Sequence, residues 1–263
     1  MDSSTIKKII NINREFYQTF AQPFAQTRQR LQPGVKQILK TIGAGQTILD
    51  IGCGNGELAR ELYKTGFRGK YVGVDFSSNL LEAAAPDKNN PRFVESKQQA
   101  EKLLESSVNE GVFLQADLSA ENWDSIIPNP PYDIVFCFAV LHHIPGETLR
   151  LQILSKIQKL LRPGGYFWHS EWQFLNSPRL VARIQPWEKV NLNANQLDPG
   201  DYLLDWRQGG TGYRYVHHFD APELSRLAEL SGFSVCETFF SDGKGNRLAI
   251  YQKWQNIQRI KHA

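Results

Sequence analysis

Three acids and three alternating glycines carry the clearest chemistry in this chain. Asp50 stands two residues ahead of Gly52, Gly54 and Gly56 in the run T-I-L-D-I-G-C-G-N-G from Thr47 to Gly56. A second acid, Asp75, ends the apolar run Tyr71-Val72-Gly73-Val74, and a third, Asp117, follows Val112 to Ala116. Glycines can take positive φ and let a ligand lie against backbone N–H groups at a helix N-terminus. A carboxylate at the end of the next strand can accept hydrogen bonds from a ribose. Together these groups suit a nucleotide-like cofactor. The spacing is G-x-G-x-G with an acid ahead of it, which departs from the G-x-G-x-x-G of dinucleotide binders and makes a hydride cofactor less suitable.

The elements around these residues follow from periodicity. Ile48, Leu49 and Ile51 read as a strand buried on both faces, and Glu57 to Leu62 as the helix after the glycine turn. Val35, Ile38, Leu39 and Ile42 form the apolar face of a helix that starts after Pro33-Gly34 and ends at Gly43. Helices are expected over Asn79 to Ala85 and over the polar stretch Ser96 to Val108, the latter as a surface insertion. Strands are expected over Val112 to Ala116 and over Asp133 to Phe138, the second central and parallel. Glu147 to Leu161 has helical spacing and is stopped by Arg162-Pro163-Gly164-Gly165 ahead of a strand from Tyr166 to His169. The segment Glu171 to Tyr215 breaks the alternation and reads as a long connection of the kind that carries function. A helix over Ala221 to Ser231 precedes strands at Val235 to Phe240 and Leu248 to Trp254, expected as an antiparallel edge hairpin.

This order predicts an α/β, Rossmann-like domain spanning residues 1–263: an arm over 1–33, a core over 34–170 and 218–254, and a substrate cap inserted at 171–217. In open α/β sheets ligands bind beyond the carboxyl ends of the strands, so Asp50, Asp75 and Asp117 fall on one edge. In the arm, Phe16, Phe20 and Phe24 keep helical spacing up to a break near Pro23. Arg28 follows, a permanently charged fork suited to a carboxylate and placed where it could fold over the cofactor.

A 41% hydrophobic and 22% charged composition over 263 residues is that of an ordinary globular chain able to bury a full core. A net charge of +3 allows a local basic surface but does not by itself argue for nucleic acid. Cys53, Cys137 and Cys236 are widely spaced, which suggests neither a zinc site nor a disulfide framework, so no metal is expected. The N-terminal stretch lacks a signal-peptide core, and the longest apolar run, Ile134 to Leu141, is too short for a bilayer. No membrane association and a cytoplasmic location are the expectation.

D-I-G-C-G-N-G followed by V-G-V-D resembles the cofactor motifs of class I S-adenosylmethionine-dependent methyltransferases, and L-R-P-G-G ahead of an aromatic strand is a further segment of that class. The resemblance implies S-adenosylmethionine as cofactor, held by Asp50, Gly52, Cys53, Gly54, Gly56, Asp75 with the neighbouring Phe76, and Asp117 with Leu118. It places Asp117 at the adenine amino group, Phe138 and Ala139 near the methionine portion, Arg28 at the cofactor carboxylate, and His142 of A-V-L-H-H-I-P at the mouth as a catalytic candidate.

Two stretches narrow the likeness. Tyr17-x-x-Phe20-Ala21-x-x-Phe24-x-x-Thr27-Arg28 and Tyr213-Arg214-Tyr215-Val216-His217 resemble segments of the tRNA wobble-uridine carboxymethyl methyltransferases. Where that family has a proline before W-R, this chain has Leu204-Asp205-Trp206-Arg207. The resemblance implies methylation of an anticodon-base carboxylate. Such a group is already ionised at neutral pH and needs alignment and a cation, not a base. Arg214 and Arg207 are the candidate clamps, with Tyr213 beside the first. Trp172, Trp206, Tyr213 and Tyr215 could supply the aromatic faces that a base needs, and His217 is a further candidate acceptor contact.

The acceptor stays open between RNA and a small molecule, as does a small activating protein partner. A basic apron from Arg28, Arg30, Lys36, Arg179, Arg183, Lys189 and Arg207 would mark an RNA enzyme, and a closed apolar lid a small-molecule one. The intact motif argues against a third reading, a non-catalytic binding module.

Overall fold

The computed structural model describes residues 1–26, 30–84, 91–106 and 111–257, with side chains from 21 to 26 outside the description. Two helices, α1 (Ser3–Gln26) and α2 (Pro33–Leu39), precede a run of β1 (Thr47–Ile51), α3 (Glu57–Lys64), β2 (Lys70–Asp75), α4 (Ser78–Ala84), β3 (Arg92–Phe93), α5 (Lys97–Ser106) and β4 (Gly111–Gln115). The central strand β5 (Tyr132–Phe138), helix α6 (Glu147–Leu160) and β6 (Leu161–Trp172) follow. Then come a helical turn α7 (Pro178–Val181), strands β7 (Ile184–Gln185), β8 (Asp201–Trp206) and β9 (Gly212–His217), helix α8 (Ala221–Leu230), and the hairpin β10 (Phe233–Ser241) and β11 (Ala249–Asn256).

The main sheet has eight strands in the order β10-β11-β6-β5-β1-β2-β4-β3. All pairings from β6 to β3 are parallel, and β11 joins β6 and β10 antiparallel. This is the expected mostly parallel sheet with an antiparallel edge hairpin. Successive strand residues point to opposite faces. Leu49, Val72, Val135 and Cys137 accordingly enter one core cluster, while Ile48, Tyr71, Ile134 and Phe136 enter the other. Because the order grows outward in both directions from the β1–β5 pair, the carboxyl ends of β1 and β5 open the crevice where α/β sheets take ligands.

Three elements differ from the sequence expectation. α1 continues through the expected break to Gln26, with non-helical backbone at Phe20 (φ −110°), three residues before Pro23, which has no N–H to give the helix. R-P-G-G does not form a stop loop: α6 ends at Leu160 and the chain enters β6 directly at Leu161. The stretch read as a long connection contains a second sheet, β7-β8-β9, antiparallel, with Trp206 facing Gly212 across its hairpin. Its stability comes from tertiary burial. Ile9 of α1 packs with Trp187, Leu203 and Tyr215, and Phe16 and Phe20 pack on Trp206. Two-residue β3 was missed because so short a run has no period to read. Among the described residues, no helix is long and apolar enough to cross a membrane.

Candidate active site

At the end of β1 the chain turns on backbone bonds, with the N–H groups of Gly52 and Cys53 donating to the Val74 carbonyl at 2.7 and 3.0 Å. Gly54 (φ +55°) is where this turn opens, since a Cβ there would meet nothing within 4 Å. Its N–H donates to Asp75 Oδ2 at 2.8 Å, and that of Ser77 donates to Oδ1 at 2.9 Å. Burial pushes the Asp75 carboxyl up. Asp50 is buried and accepts the Tyr71 hydroxyl proton on Oδ2 at 2.5 Å, while its other oxygen has no partner among the described residues. Burial raises its pKa to about 7. Gly56 does different work: a Cβ there would stand 2.6 Å from Phe113 Cζ, so this glycine seats α3 on the sheet.

Over this floor lies a cavity of about 1020 Å³ whose wall includes Asp50, Gly52, Cys53, Gly54, Asp75 and Phe76. Asp117, Leu118, Phe138, Ala139, His142 and Trp172 complete the expected residues found on it, and Gly56 is not among them. The donor set fits S-adenosylmethionine. Backbone at Gly54 is approachable, Asp75 presents a fixed carboxylate, and the unpartnered Asp50 oxygen suits a cationic ammonium group. Asp117 is on the wall and already engaged within the protein. Its Oδ1 accepts from Ser119 N–H (2.9 Å) and Oγ–H (2.7 Å), and its Oδ2 pairs with Arg14 at 2.6 Å. Burial works to raise its pKa, but the Ser119 and Arg14 bonds hold the carboxyl below the ordinary range. Arg14 also lies 5.8 Å over the Phe76 ring, so α1 closes this end of the cavity with a cation.

The mouth is built where β5 and β6 end. Ala139 takes φ +58°, a conformation that costs a residue with a Cβ and is held by its N–H donating to the Ser170 carbonyl at 3.0 Å. His142 is buried on the wall, its backbone N–H and Nδ1 at 3.0 and 2.9 Å from Glu171 Oε2. Glu171 Oε1 in turn lies 3.0 Å from His169 Nδ1. Helix α1 is stitched to the same turn: Tyr17 bonds His143 Nε2 at 2.7 Å, and Asn13 donates to the His143 carbonyl at 3.1 Å and accepts from Tyr215 N–H at 2.8 Å.

Most of the expected acceptor residues stand elsewhere. Arg214 is 5% exposed, its guanidinium 4.8 Å over Trp172 and within 5.7 Å of the Phe16 and Trp206 rings. Trp172 lines the cavity, and Arg214 backs it. Tyr213 packs against the cluster that holds Trp187 and Leu203. Tyr215 is buried, accepting from Arg150 and donating to Asp201, and His217 bridges Asp201 and Glu223. Arg207 is exposed and paired with Asp205 at 2.7 Å. None of Trp206, Arg207, Tyr213, Arg214, Tyr215 or His217 is on the cavity wall. The reason is that β8 and β9 belong to a sheet covered by α1, with His217 paired to Glu223 of α8, so their buried side chains serve its interior. Arg28 lies outside the described residues.

Of the expected basic apron, Arg30 and Arg179 are on the wall, joined by Lys244 and Arg247 from the β10–β11 turn. All four are exposed, and none has a carboxylate within ion-pair distance among the described residues. Lys36, Arg183 and Lys189 are not on it. Sequence reading missed Glu171, Arg14, Lys244 and Arg247. Glu171 had a legible signal, an acid at the carboxyl end of a strand like Asp50 and Asp75. Arg14 had one too, sharing a helix face with Ile10, Asn13 and Tyr17, all on the wall.

The chain matches the methyltransferase domain family over residues 24–238. It is 26% identical over 244 residues to the tRNA (carboxymethyluridine(34)-5-O)-methyltransferase of Schizosaccharomyces pombe, covering 85% of this chain and 89% of that one. With the tRNA (carboxymethyluridine(34)-5-O)-methyltransferase ALKBH8 of Mus musculus it shares 25% identity over 190 residues, 68% of this chain and only 24% of that protein. Among solved structures it is similar to the 1,6-didemethyltoxoflavin-N1-methyltransferase of Burkholderia thailandensis, determined with 1,6-didemethyltoxoflavin and S-adenosylhomocysteine. The TM-score is 0.56 at 16% identity, over 97% of this chain and 89% of that one. The glycine turn, its two flanking acids and the family match converge: the chain belongs to the methyltransferase domain family and is an S-adenosylmethionine-dependent methyltransferase.

Proposed function

We propose that this enzyme methylates RNA, with the side-chain carboxylate of a tRNA wobble uridine as the acceptor. The observation that carries the reading is the set of exposed cations, Arg30, Arg179, Lys244 and Arg247, around the cavity that holds the cofactor acids. Such a rim suits phosphates. The relatives from Schizosaccharomyces pombe and mouse bear the name of this reaction, which supports it further.

S-adenosylmethionine, when bound, supplies an electrophilic sulfonium methyl. Gly54, Asp50 and Asp75 would hold it, leaving Phe138, Ala139 and His142 nearer the mouth. An ionised acceptor oxygen is already a nucleophile, so the chain's task is alignment for an in-line displacement and exclusion of competing geometry. Trp172, stiffened from behind by Arg214, offers the acceptor base a flat face. The rim cations fix the flanking phosphates and so set the depth of the base.

The test is incubation with labelled S-adenosylmethionine and, in parallel, total tRNA from a strain lacking this protein and a small-metabolite extract. Label in the tRNA fraction, released as methanol by mild base as an ester is, supports the reading. Label only in the metabolite fraction replaces it with a small-molecule O- or N-methyltransferase.

A further inference from the structure

Past Trp172 the cavity wall continues with two neutral polar residues, Asn176 and Ser177, which neither the cofactor site nor the cationic rim uses. Their stretch of backbone is fixed from both sides. The Gln173 N–H donates to the Leu248 carbonyl at 2.8 Å, and the Gln173 side chain donates to the Phe219 carbonyl at 2.8 Å. Asn176 and Ser177 then close a helical turn, their N–H groups 3.0 Å from the Gln173 and Phe174 carbonyls. So held, the segment presents its side chains at fixed positions.

The sense of the Asn176 amide follows from what it touches. Its Nδ2 donates to the Arg247 carbonyl at 2.8 Å. A carbonyl oxygen only accepts, so turning the amide over would set two acceptor oxygens against each other. Nδ2 therefore stays on Arg247, and Oδ1 is left as an acceptor with no hydrogen-bond partner among the described residues. Ser177 leads into α7, but its hydroxyl makes no bond to that turn, because the Leu180 and Val181 N–H groups donate to its carbonyl at 2.8 and 2.9 Å. A hydroxyl can give a proton or take one. An acceptor of fixed sense thus stands beside a group that adapts to its ligand.

We propose that Asn176 and Ser177 read the Watson–Crick edge of the acceptor base and make the enzyme specific for uracil. Asn176 Oδ1 takes the N3–H, and the Ser177 hydroxyl donates to a flanking carbonyl oxygen. Uracil offers that edge as acceptor, donor, acceptor. Cytosine has a bare N3 there, which would meet Oδ1 lone pair against lone pair and leave both unsatisfied. With the base's face on Trp172 and its edge on this pair, the C5 substituent lies off that edge and is free to reach toward the cofactor. The readers are also continuous with the cations that take phosphate: Arg179 follows Ser177-Pro178, and Arg247 supplies the carbonyl that fixes Asn176. This inference deepens the RNA reading, on which it rests for the kind of acceptor.

The test keeps the two apart. In the first arm, ligand-observed NMR measures binding to the enzyme saturated with S-adenosylhomocysteine for three nucleosides: 5-carboxymethyluridine, its N3-methyl derivative and 5-carboxymethylcytidine. All three carry the same carboxylate and no phosphate, so the rim acts on them alike. The expected result is a preference for the uridine of about tenfold or more, falling to about twofold or less in Asn176→Leu. That variant keeps the size of the side chain and removes the acceptor, and Asn176 is exposed, so the core is untouched. Asn176→Asp, which keeps an acceptor oxygen, should retain the preference, and Ser177→Ala should weaken uridine binding by about threefold or more. A wild type that binds the three nucleosides alike, or binds none, overturns the proposal. So does an Asn176→Leu enzyme that loses affinity for all three equally, which is what a merely structural role would give.

In the second arm, single-turnover methyl transfer is measured to anticodon stem–loop RNA carrying 5-carboxymethyluridine or 5-carboxymethylcytidine at the wobble position. Transfer should favour the uridine, and Asn176→Leu should lose that preference with S-adenosylhomocysteine affinity unchanged. Equal rates on the two RNAs in the wild type overturn the proposal. No transfer to either RNA, with the nucleoside preference intact, would end the RNA reading and leave the uracil edge as the recognised feature of a small acceptor. Transfer to tRNA without any nucleoside preference would end this inference and leave the RNA reading standing.

Discussion

Asp50 places the sharpest condition on cofactor binding. With its pKa raised to about 7 by burial, it carries its proton in mildly acidic solution and cannot then partner a cationic group. S-adenosylmethionine affinity should therefore rise with pH up to about neutrality, by as much as about tenfold per unit below it, and Asp50→Asn should be weak and flat over the same range. Calorimetric titration across that range checks both, and a wild-type affinity independent of pH would count against this role. Asp75→Ala should cost roughly 1.5–3 kcal/mol of cofactor binding, because it removes charge-assisted acceptors that the Gly54 and Ser77 N–H groups hold in place. At Gly54 the space beyond the backbone is empty and φ is +55°, so Gly54→Val both fills the cofactor's volume and strains the turn. Binding should be lost with the fold retained and the melting temperature lowered by the strain of the turn alone; retained affinity would remove the glycine turn from the site.

At the scale of elements, one buried cation ties the small sheet to α6 and α8. Arg150 of α6 donates to the Ile144 carbonyl (2.9 Å) and the Tyr215 hydroxyl (2.8 Å), and stands 3.6 Å from Asp201 and 3.5 Å from Glu223. Removing one member of a buried charge network leaves the others uncompensated. Arg150→Met should cost about 3–5 kcal/mol in denaturant unfolding, and a loss below about 1 kcal/mol would show that the network is not a fastening. This network also explains which parts of the site were legible. β1, β2 and β4 were readable because apolar runs carry Asp50, Asp75 and Asp117 at or just past one sheet edge, and β5 because its run from Ile134 to Phe138 is continuously apolar. Arg214, Tyr215 and His217 were misplaced because a Y-R-Y-V-H alternation looks the same whether its polar members face a pocket or a buried ion network. Only the burial of β9 under α1 decides between them. Glu171 went unread because β6 was expected to end at His169, two residues before the acid that the strand carries to its edge.

For the whole molecule, a net charge of +3 conceals a local asymmetry. Arg14 is paired with Asp117 inside the cavity, whereas Arg30, Arg179, Lys244 and Arg247 stand exposed on its wall and come from three separate stretches of chain. No sequence window could reveal that convergence, since it depends on the β10–β11 turn and the α7 segment meeting over the same sheet edge. The most direct test of the central claim is single-turnover methyl transfer to tRNA from a strain lacking this protein, measured at salt concentrations from about 50 to about 200 mM for the wild type and for the combined Arg179→Ala, Lys244→Ala and Arg247→Ala variant. The expected result is a wild-type tRNA affinity that falls linearly on a log–log plot, with a slope reduced by roughly 0.7–0.9 for each phosphate contact that the variant loses, while cofactor affinity is retained. No transfer to tRNA, or the same salt slope in the variant as in the wild type, would contradict the claim that this rim receives RNA.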